Sequence, residues 1–129
     1  MSQLRDEKIL VTGPAGQIAY PLAARLAKDN EVWGIARFSD ASTRERVEQA
    51  GISTRVVDLA DPQWGDLPDD FTILLHFAAV IVPGKDFDKS IRINAEGTGK
   101  VMERTWTRPV ALHWPAPARW NGSRACAAC

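Results

Sequence analysis

Two glycines lie three residues apart, directly after a short apolar segment, in the stretch KILVTGPAGQIA at residues 8–19. Gly13 can adopt backbone angles that a Cβ atom forbids, and Gly16 lets the main chain approach a ligand closely. A helix that begins at Gln17 would direct its free N–H groups and the positive end of its dipole to the same place. The spacing predicts a phosphate-binding loop suited to the pyrophosphate of a dinucleotide, with contacts from Gly13, Gly16, Gln17 and Ile18.

The next candidate lies at the end of the predicted second strand, where a carboxylate would bind the ribose of an adenosine. Here Arg37 follows the strand, and the first carboxylate, that of Asp40, comes three residues later. A guanidinium can pair with a 2′-phosphate and stack on adenine, which favours NADP. The structural alternative is an exposed loop arginine without such a role. We expect NADP or NAD as the cofactor, with NADP slightly favoured.

The elements that must position these residues alternate between strands and helices. Apolar runs predict strands at residues 9–11, 31–36, 54–57 and 72–77. Helices are predicted from Gln17, from a capping box at residues 42–45, and over about 90–104. Strands that alternate with helices form a parallel sheet through right-handed crossovers. The predicted fold class is α/β, a Rossmann-like partial doubly wound parallel sheet of about four strands in the order 3-2-1-4, with an irregular C-terminal tail.

Apolar residues at helical spacing predict the buried faces of two helices. In the first helix these are Ile18, Leu22 and Leu26. In the last helix they are Ile91, Ala95, Thr98 and Met102.

Four motifs in this order resemble the extended short-chain dehydrogenase/reductases, the NAD(P)-dependent epimerase/dehydratase family. They are TGPAGQI after the first strand, VDL after the third, LHFAA at the fourth, and SIRINAEGT in the last helix. Together they span residues 8 to about 104. The resemblance implies an N-terminal, NAD(P)-binding part of an oxidoreductase or isomerase.

The resemblance also implies roles for single residues. Asp58 and Leu59 would contact adenine, Ala78 and Ala79 would line the cofactor, and Asn94 would be a supporting active-site asparagine. Each has a structural alternative when taken singly: a turn residue for Asp58, small packing residues for the alanines, and a helix cap or bridge for Asn94. For His76, in an apolar strand, the structural alternative is a hydrogen-bonded core histidine rather than a catalytic group. Only the joint order of the motifs favours the functional interpretation.

The chain departs from the family in its catalytic residues. Family enzymes carry a Ser or Thr and a Tyr-x-x-x-Lys after a fifth strand, where the tyrosine acts as general acid/base. This sequence has one tyrosine, Tyr20, on the first helix, and no Tyr-x-x-x-Lys. Hydride chemistry needs a positioned proton-transfer group. Whether the chain is an enzyme is therefore left open, and we expect it to be inactive alone.

Composition excludes several classes of protein. The chain has 129 residues with 16 basic and 16 acidic side chains, so nothing favours binding to nucleic acid or to an anionic membrane. No signal peptide or membrane span is evident, and we expect a cytoplasmic protein. No spacing of His, Cys or carboxylates predicts a metal site.

The sequence changes character near residue 104, which predicts a nucleotide-binding half-domain at 1–104 and a tail at 105–129 outside the family. The tail contains three tryptophans, three prolines, three arginines and both cysteines, without an acidic residue. We interpret it as a disordered or frameshifted segment of a truncated product. Cys126 and Cys129 match redox and prenylation patterns, which we attribute to chance. The alternative is a small NADP-binding sensor or interaction module that acts through a basic aromatic tail.

The predicted fourth strand lacks a partner on one side. Its sequence, from Thr72 to Phe77, is apolar, uncharged apart from His76, and free of proline. Such an edge favours pairing between molecules. We therefore expect self-association through this edge.

Overall fold

The computed structural model describes residues 4–81 and 86–105. Its strands are β1 (Lys8–Thr12), β2 (Glu31–Ala36), β3 (Ser53–Val56) and β4 (Ile73–His76). Its helices are α1 (Ala19–Leu26), α2 (Ala41–Gln49), α3 (Phe87–Ile91) and α4 (Gly97–Thr105), the last two joined by a π-helical turn at Arg92–Glu96. The strands form one parallel sheet in the order β3-β2-β1-β4, which confirms the predicted architecture.

Strand β1 lies inside the sheet and is covered on both faces. Ile9 and Val11 pack with α1 and α2 in one apolar cluster, which also contains Ala23 and Val47. Leu10, between them in sequence, belongs to the cluster on the opposite face. Alternate side chains of a strand point to opposite faces, so an uninterrupted apolar run is what a doubly covered parallel strand requires.

The predicted start and buried face of the first helix are wrong. Residues 17 and 18 form a turn, and α1 begins at Ala19. Ile18 is 74% exposed and Leu22 is also exposed, whereas Ala19 and Ala23 are buried. Leu26 alone of the predicted set packs, partly buried, against the core. The short alanine side chains let the helix lie close to the sheet directly after the glycine loop. Larger apolar residues at these positions would hold the helix further away, so Ile18 and Leu22 lie exposed instead.

The cap of α2 differs from the predicted capping box at Ser42. The N-cap is Asp40, whose carboxylate accepts hydrogen bonds from the backbone N–H of Ser42 and from the hydroxyls of Ser42 and Thr43. A carboxylate can satisfy several free donors of a first turn at once, which a serine hydroxyl cannot. These bonds lower the pKa of Asp40, with the Ser42 hydroxyl as the main cause.

The last helical segment starts earlier than predicted and buries a different face. It begins at Phe87, and its buried residues are Ile93, Gly97, Val101 and Thr105. Of the predicted face, Ile91 and Ala95 are exposed, and Thr98 and Met102 are only partly buried. Gly97 explains the shift, because a Cβ there would lie 2.9 Å from both the Cβ and the carbonyl oxygen of Leu59. Gly97 therefore lets this helix lie close to the loop after β3.

Strand β4 has β1 on one side and, within residues 4–81 and 86–105, no strand on the other. This agrees with the expected edge, while self-association itself stays a prediction. The interpretations of the tail, including Cys126 and Cys129, lie outside the described residues.

Candidate functional site

A cleft of about 270 Å³ lies at the carboxyl ends of the parallel strands. It brings together seven residues that the sequence singled out: Gly13, Gly16, Arg37, Asp58, Leu59, Ala78 and Ala79. The remaining lining residues were not predicted: Ala15, Ile35, Ala36, Val57, Phe77, Val80 and Ile93. Ligands of open α/β sheets bind at this end of the strands, next to the point where the strand order reverses. Here that reversal falls between β1 and β4.

Three predicted residues do not line the cleft directly. Gln17 and Ile18 are exposed in the turn that precedes α1. Asn94 lies on the π-helical turn and is linked to the cleft wall through the backbone of Val80. A larger open depression, of about 610 Å³, lies at the opposite end of the sheet and is lined by residues 5–8 and 28–31. The glycine loop does not contribute to it, so its size carries no functional argument.

The two glycines of the loop differ in how strictly their positions require glycine. Gly13 has a φ of +67°, and a Cβ there would lie 3.2 Å from both the Cα and the backbone N of Ala78. At Gly16 the nearest atom to such a Cβ would be the carbonyl oxygen of Gly13, at 3.4 Å. Gly13 is therefore needed for the turn itself, whereas Gly16 leaves the outer side of the loop open.

The first turn of α1 leaves backbone donors available beside this loop. The N-cap, Ile18, provides no side-chain hydrogen bond, and the first turn contains no acidic residue. The N–H groups of Gly13 and Gly16 are bonded to the carbonyls of Ile35 (2.9 Å) and Gly13 (3.1 Å). An uncapped helix start without a carboxylate suits a bound anion, because the dipole and the free N–H groups both favour negative charge.

The hydroxyl of Thr12 anchors the opposite wall of the cleft. Its Oγ1 accepts hydrogen bonds from the backbone N–H groups of Phe77 and Ala78, both at 3.0 Å. It also lies 2.7 Å from Nδ1 of His76. Because its acceptor sites are occupied by the two N–H groups, the hydroxyl proton is donated to Nδ1. The side chain of Thr12 thus fixes the backbone that turns from β4 into the cleft.

His76 extends this chain of hydrogen bonds to the last helix. With Nδ1 as an acceptor, Nε2 carries the proton and donates to Oγ1 of Thr98 at 2.9 Å. The Thr98 hydroxyl donates in turn to the carbonyl oxygen of Asn94 at 2.7 Å. Burial lowers the pKa of His76, in agreement with a neutral ring. Both ring nitrogens of His76 are therefore hydrogen-bonded within the fold, which agrees with the structural alternative for this residue.

The side-chain amide of Asn94 is engaged with the main chain of one residue. Its Oδ1 accepts from the backbone N–H of Val80 at 2.7 Å, and its Nδ2 donates to the carbonyl of Val80 at 2.9 Å. This pair of bonds reproduces the pattern of a strand partner. Asn94 therefore bridges the π-helical turn to the segment that lines the cleft.

Two polar side chains border the part of the cleft formed by β2 and β3. Asp58 is exposed, and its Oδ1 accepts from the backbone N–H of Ala60 at 2.9 Å, so it forms a turn as well as facing the cleft. Arg37 is exposed, and no described residue pairs with it. Phe38, which follows, has a φ of +43° and packs against the core. The carboxylate of Asp40 is occupied by its capping bonds, so Arg37 is the available charge at the end of β2.

The sequence reasoning missed the contact between Pro14 and Gly34. A Cβ on Gly34 would lie 2.6 Å from Cγ of Pro14, so β2 needs glycine for the loop to lie against it. A glycine inside a strand is a signal for such a close approach and could have been used.

Within the part of the chain that the structure describes, no group of three or more His, Cys, Asp or Glu residues is placed to hold a metal ion. Among the described helices, none has the length and apolar character needed to cross a membrane.

The model of the NAD dependent epimerase/dehydratase family matches residues 9–114. The chain belongs to this family. The residues matched include the glycine loop, all four strands and the helix that carries Asn94. A comparison with curated proteins finds no match.

Solved structures of family members and related enzymes have the same fold. A UDP-glucuronic acid 4-epimerase from Bacillus cereus is 28% identical with a TM-score of 0.62, over 75% of this chain and 35% of that one. A UDP-N-acetylglucosamine 4-epimerase from Methanobrevibacter ruminantium is 22% identical with a TM-score of 0.66, over 78% and 34%. A short-chain dehydrogenase/reductase from Serratia marcescens is 19% identical with a TM-score of 0.69, over 80% and 51%. The chain thus spans between a third and a half of the length of these structures.

Proposed function

We propose that this chain binds a nicotinamide dinucleotide in the cleft at the carboxyl ends of its strands. The observation that carries the proposal is the juxtaposition of the Gly13 turn, the uncapped start of α1 and the wall at Ala78 around one cleft. The B. cereus neighbour is a complex with NAD. The family to which this chain belongs is described as NAD dependent.

The proposed arrangement assigns each part of the dinucleotide to one part of the cleft. The pyrophosphate lies at the glycine loop, where Gly13 and Gly16 leave room and Gln17 and Ile18 offer backbone N–H groups. The adenine lies beside Asp58 and Leu59. The wall at Ala78 and Ala79 covers the other end of the dinucleotide. In this arrangement the chain supplies binding and orientation, while hydride chemistry belongs to the nicotinamide.

Arg37 favours NADP over NAD in this arrangement. A dianionic 2′-phosphate beside an unpaired guanidinium forms charge-assisted hydrogen bonds. The carboxylate that would bind the ribose hydroxyls of NAD is missing from the end of β2, since Asp40 caps α2. Two observations therefore support NADP: Arg37 has no ion-pair partner among the described residues, and the carboxylate of Asp40 is occupied by the cap of α2.

Calorimetric titration of the full chain with NADPH and with NADH tests the proposal. We expect both to bind, NADPH more tightly, and Arg37→Ala to narrow the difference. Arg25→Ala is a matched control, because Arg25 lies on α1 and pairs with Asp29 away from the cleft. Absence of binding by either dinucleotide overturns the proposed function, and equal affinities overturn the preference for NADP.

We further propose that the chain alone does not catalyse a dehydrogenase, epimerase or dehydratase reaction. The single tyrosine, Tyr20, lies on α1 under the guanidinium of Arg46 and does not line the cleft. The amide of Asn94 is taken up by the main chain of Val80. Purified chain should reduce no carbonyl substrate and epimerise no nucleotide sugar above a control without protein. Turnover would mean that one of these residues has a catalytic role.

A further inference from the structure

Arg46 lies on α2 but contacts the glycine loop. Its guanidinium carbon is 4.6 Å from the centroid of the Tyr20 ring, and its Nη2 donates to the carbonyl oxygen of Ala15 at 3.3 Å. Ala15 lines the same cleft as Arg37. Arg46 is exposed on a helix, which is ordinary for an arginine, so nothing in the sequence marks it. Its position beside the loop is visible only in the fold.

No carboxylate of the described residues pairs with Arg46. Among the described residues, neither Arg46 nor Arg37 forms an ion pair. Other arginines are paired with carboxylates: Arg25, Arg44, Arg55 and Arg104. Among the described residues, two guanidinium groups without an ion pair therefore lie near one cleft: Arg37 lines it, and Arg46 contacts the carbonyl oxygen of Ala15, which also lines it.

The contacts of Arg46 also orient it. The guanidinium lies over the face of the Tyr20 ring, and one of its five N–H donors is used by the carbonyl oxygen of Ala15. The other donors remain for a ligand. A guanidinium already held by two contacts binds the oxygens of a phosphate with less loss of side-chain entropy than a free lysine would.

We propose that Arg46 determines specificity together with Arg37 by binding the 2′-phosphate of NADP. The inference rests on the proposed function, since it assigns a residue to the adenosine end of that cleft. A phosphate monoester carries nearly two negative charges at neutral pH and three acceptor oxygens. Two cations, one after β2 and one on α2, match that charge better than Arg37 alone.

The test uses two ligands that differ only by the group in question: adenosine 2′,5′-bisphosphate and adenosine 5′-monophosphate. Both occupy only the adenosine end, so the nicotinamide end does not affect the comparison. Calorimetric titration of the full chain should show that Arg46→Ala weakens binding of the bisphosphate roughly tenfold, the effect of one charge-assisted hydrogen bond. Binding of the monophosphate should change by less than about twofold, because that ligand lacks the phosphate that Arg46 contacts.

Two further variants separate recognition from charge and from folding. Arg44→Ala removes the same charge from the same helix, but Arg44 pairs with Glu48, so we expect both affinities to be kept. Arg46→Lys keeps the charge and loses the planar stack, and its bisphosphate affinity should be intermediate. Circular dichroism of each variant reports whether the fold is retained.

The outcomes are distinguishable. If Arg46→Ala weakens both ligands equally, Arg46 only holds the glycine loop through Ala15, and the inference is wrong while the proposed function stands. An unchanged bisphosphate affinity in Arg46→Ala also overturns it. If the unmodified chain binds neither ligand nor either dinucleotide, the proposed function itself fails, and this inference with it.

Discussion

Replacing Thr12 by valine should destabilise the chain and disturb the cleft, although the two side chains have nearly the same shape. Thr12 is fully buried, so the substitution opens no large cavity. What it removes is the acceptor for the N–H groups of Phe77 and Ala78 and the donor to His76. The prediction therefore isolates hydrogen bonding from packing.

The expected loss follows from counting the bonds that have no substitute. The N–H of Phe77 also lies 3.2 Å from the carbonyl oxygen of Thr12, so it keeps an acceptor. The N–H of Ala78 and Nδ1 of His76 lose their partners. At about 1–1.5 kcal/mol for each uncompensated group, the free energy of unfolding should fall by about 2–3 kcal/mol. For a domain of this size the melting temperature should fall on the order of 10 °C.

Urea denaturation followed by circular dichroism measures this loss directly. Thr12→Ser is the matched control: it keeps the hydroxyl and loses one methyl group, which should cost about 1 kcal/mol. Valine should therefore lower the free energy of unfolding more than serine does. A valine variant as stable as the unmodified chain, or more stable than the serine variant, would show that the hydroxyl does not hold the wall.

Three other predictions concern pH, packing and assembly. Burial lowers the pKa of His76 below 6.5, so the unfolded chain binds more protons than the folded chain once the pH falls below about 6.5. The free energy of unfolding should therefore be fully present above about pH 6.5 and should fall as the pH is lowered. Urea midpoints should show this decline in the unmodified chain, and a decline of the same size in His76→Gln would refute it. Gly97→Ala should lower the free energy of unfolding by about 1–3 kcal/mol, because the added Cβ clashes with Leu59. Gly99→Ala, where a Cβ would have no atom within 4 Å, should leave the free energy of unfolding unchanged or raise it by up to about 1 kcal/mol. Equal shifts of the two variants in thermal melts would contradict this difference in packing. The unpaired side of β4 should cause mass to rise with concentration in multi-angle light scattering, and a constant monomer mass would count against this edge as an interface.

The fold was predictable because its signals are local and agree with one another. Apolar runs such as that of β1 can be read as doubly covered strands, and the Gly13 turn follows from spacing alone. The sheet order was correct because alternation of strand and helix leaves few topologies. The cleft followed from these two facts, since the ends of parallel strands must meet at one edge.

The buried helix faces were not predictable from apolar spacing. In α1 the buried residues are Ala19 and Ala23, whereas Ile18 at the N-cap lies exposed. In the last helical segment Ile93 and Gly97 are buried, whereas Ile91 lies exposed. Spacing rules predict burial from the hydrophobicity of side chains. In this fold, burial also depends on how closely the helix must approach its neighbour. The contact of Gly97 with Leu59 is the clearest example, since glycine has no side chain and does not contribute to a pattern of apolar residues.

Contacts between distant segments were also beyond the sequence. Thr12 and His76 are 64 residues apart, and Ala15 and Arg46 are 31 apart. Each residue type has many ordinary uses, so neither pair could be inferred without the fold. The sequence could identify residues that a motif names, but not those that hold the motif in place.

The position of β4 explains why this chain of hydrogen bonds matters for the site. The segment after β4 forms a wall of the cleft, yet within the described residues β4 is paired on one side only. A wall that continues an edge strand has no neighbouring ladder to fix it on the outer side. Its position instead depends on Thr12 from β1 and on the link through His76 to the last helix. Ala78 lies against Gly13 and also donates its backbone N–H to Oγ1 of Thr12. A change in these hydrogen bonds should therefore move the cleft wall and the glycine loop together.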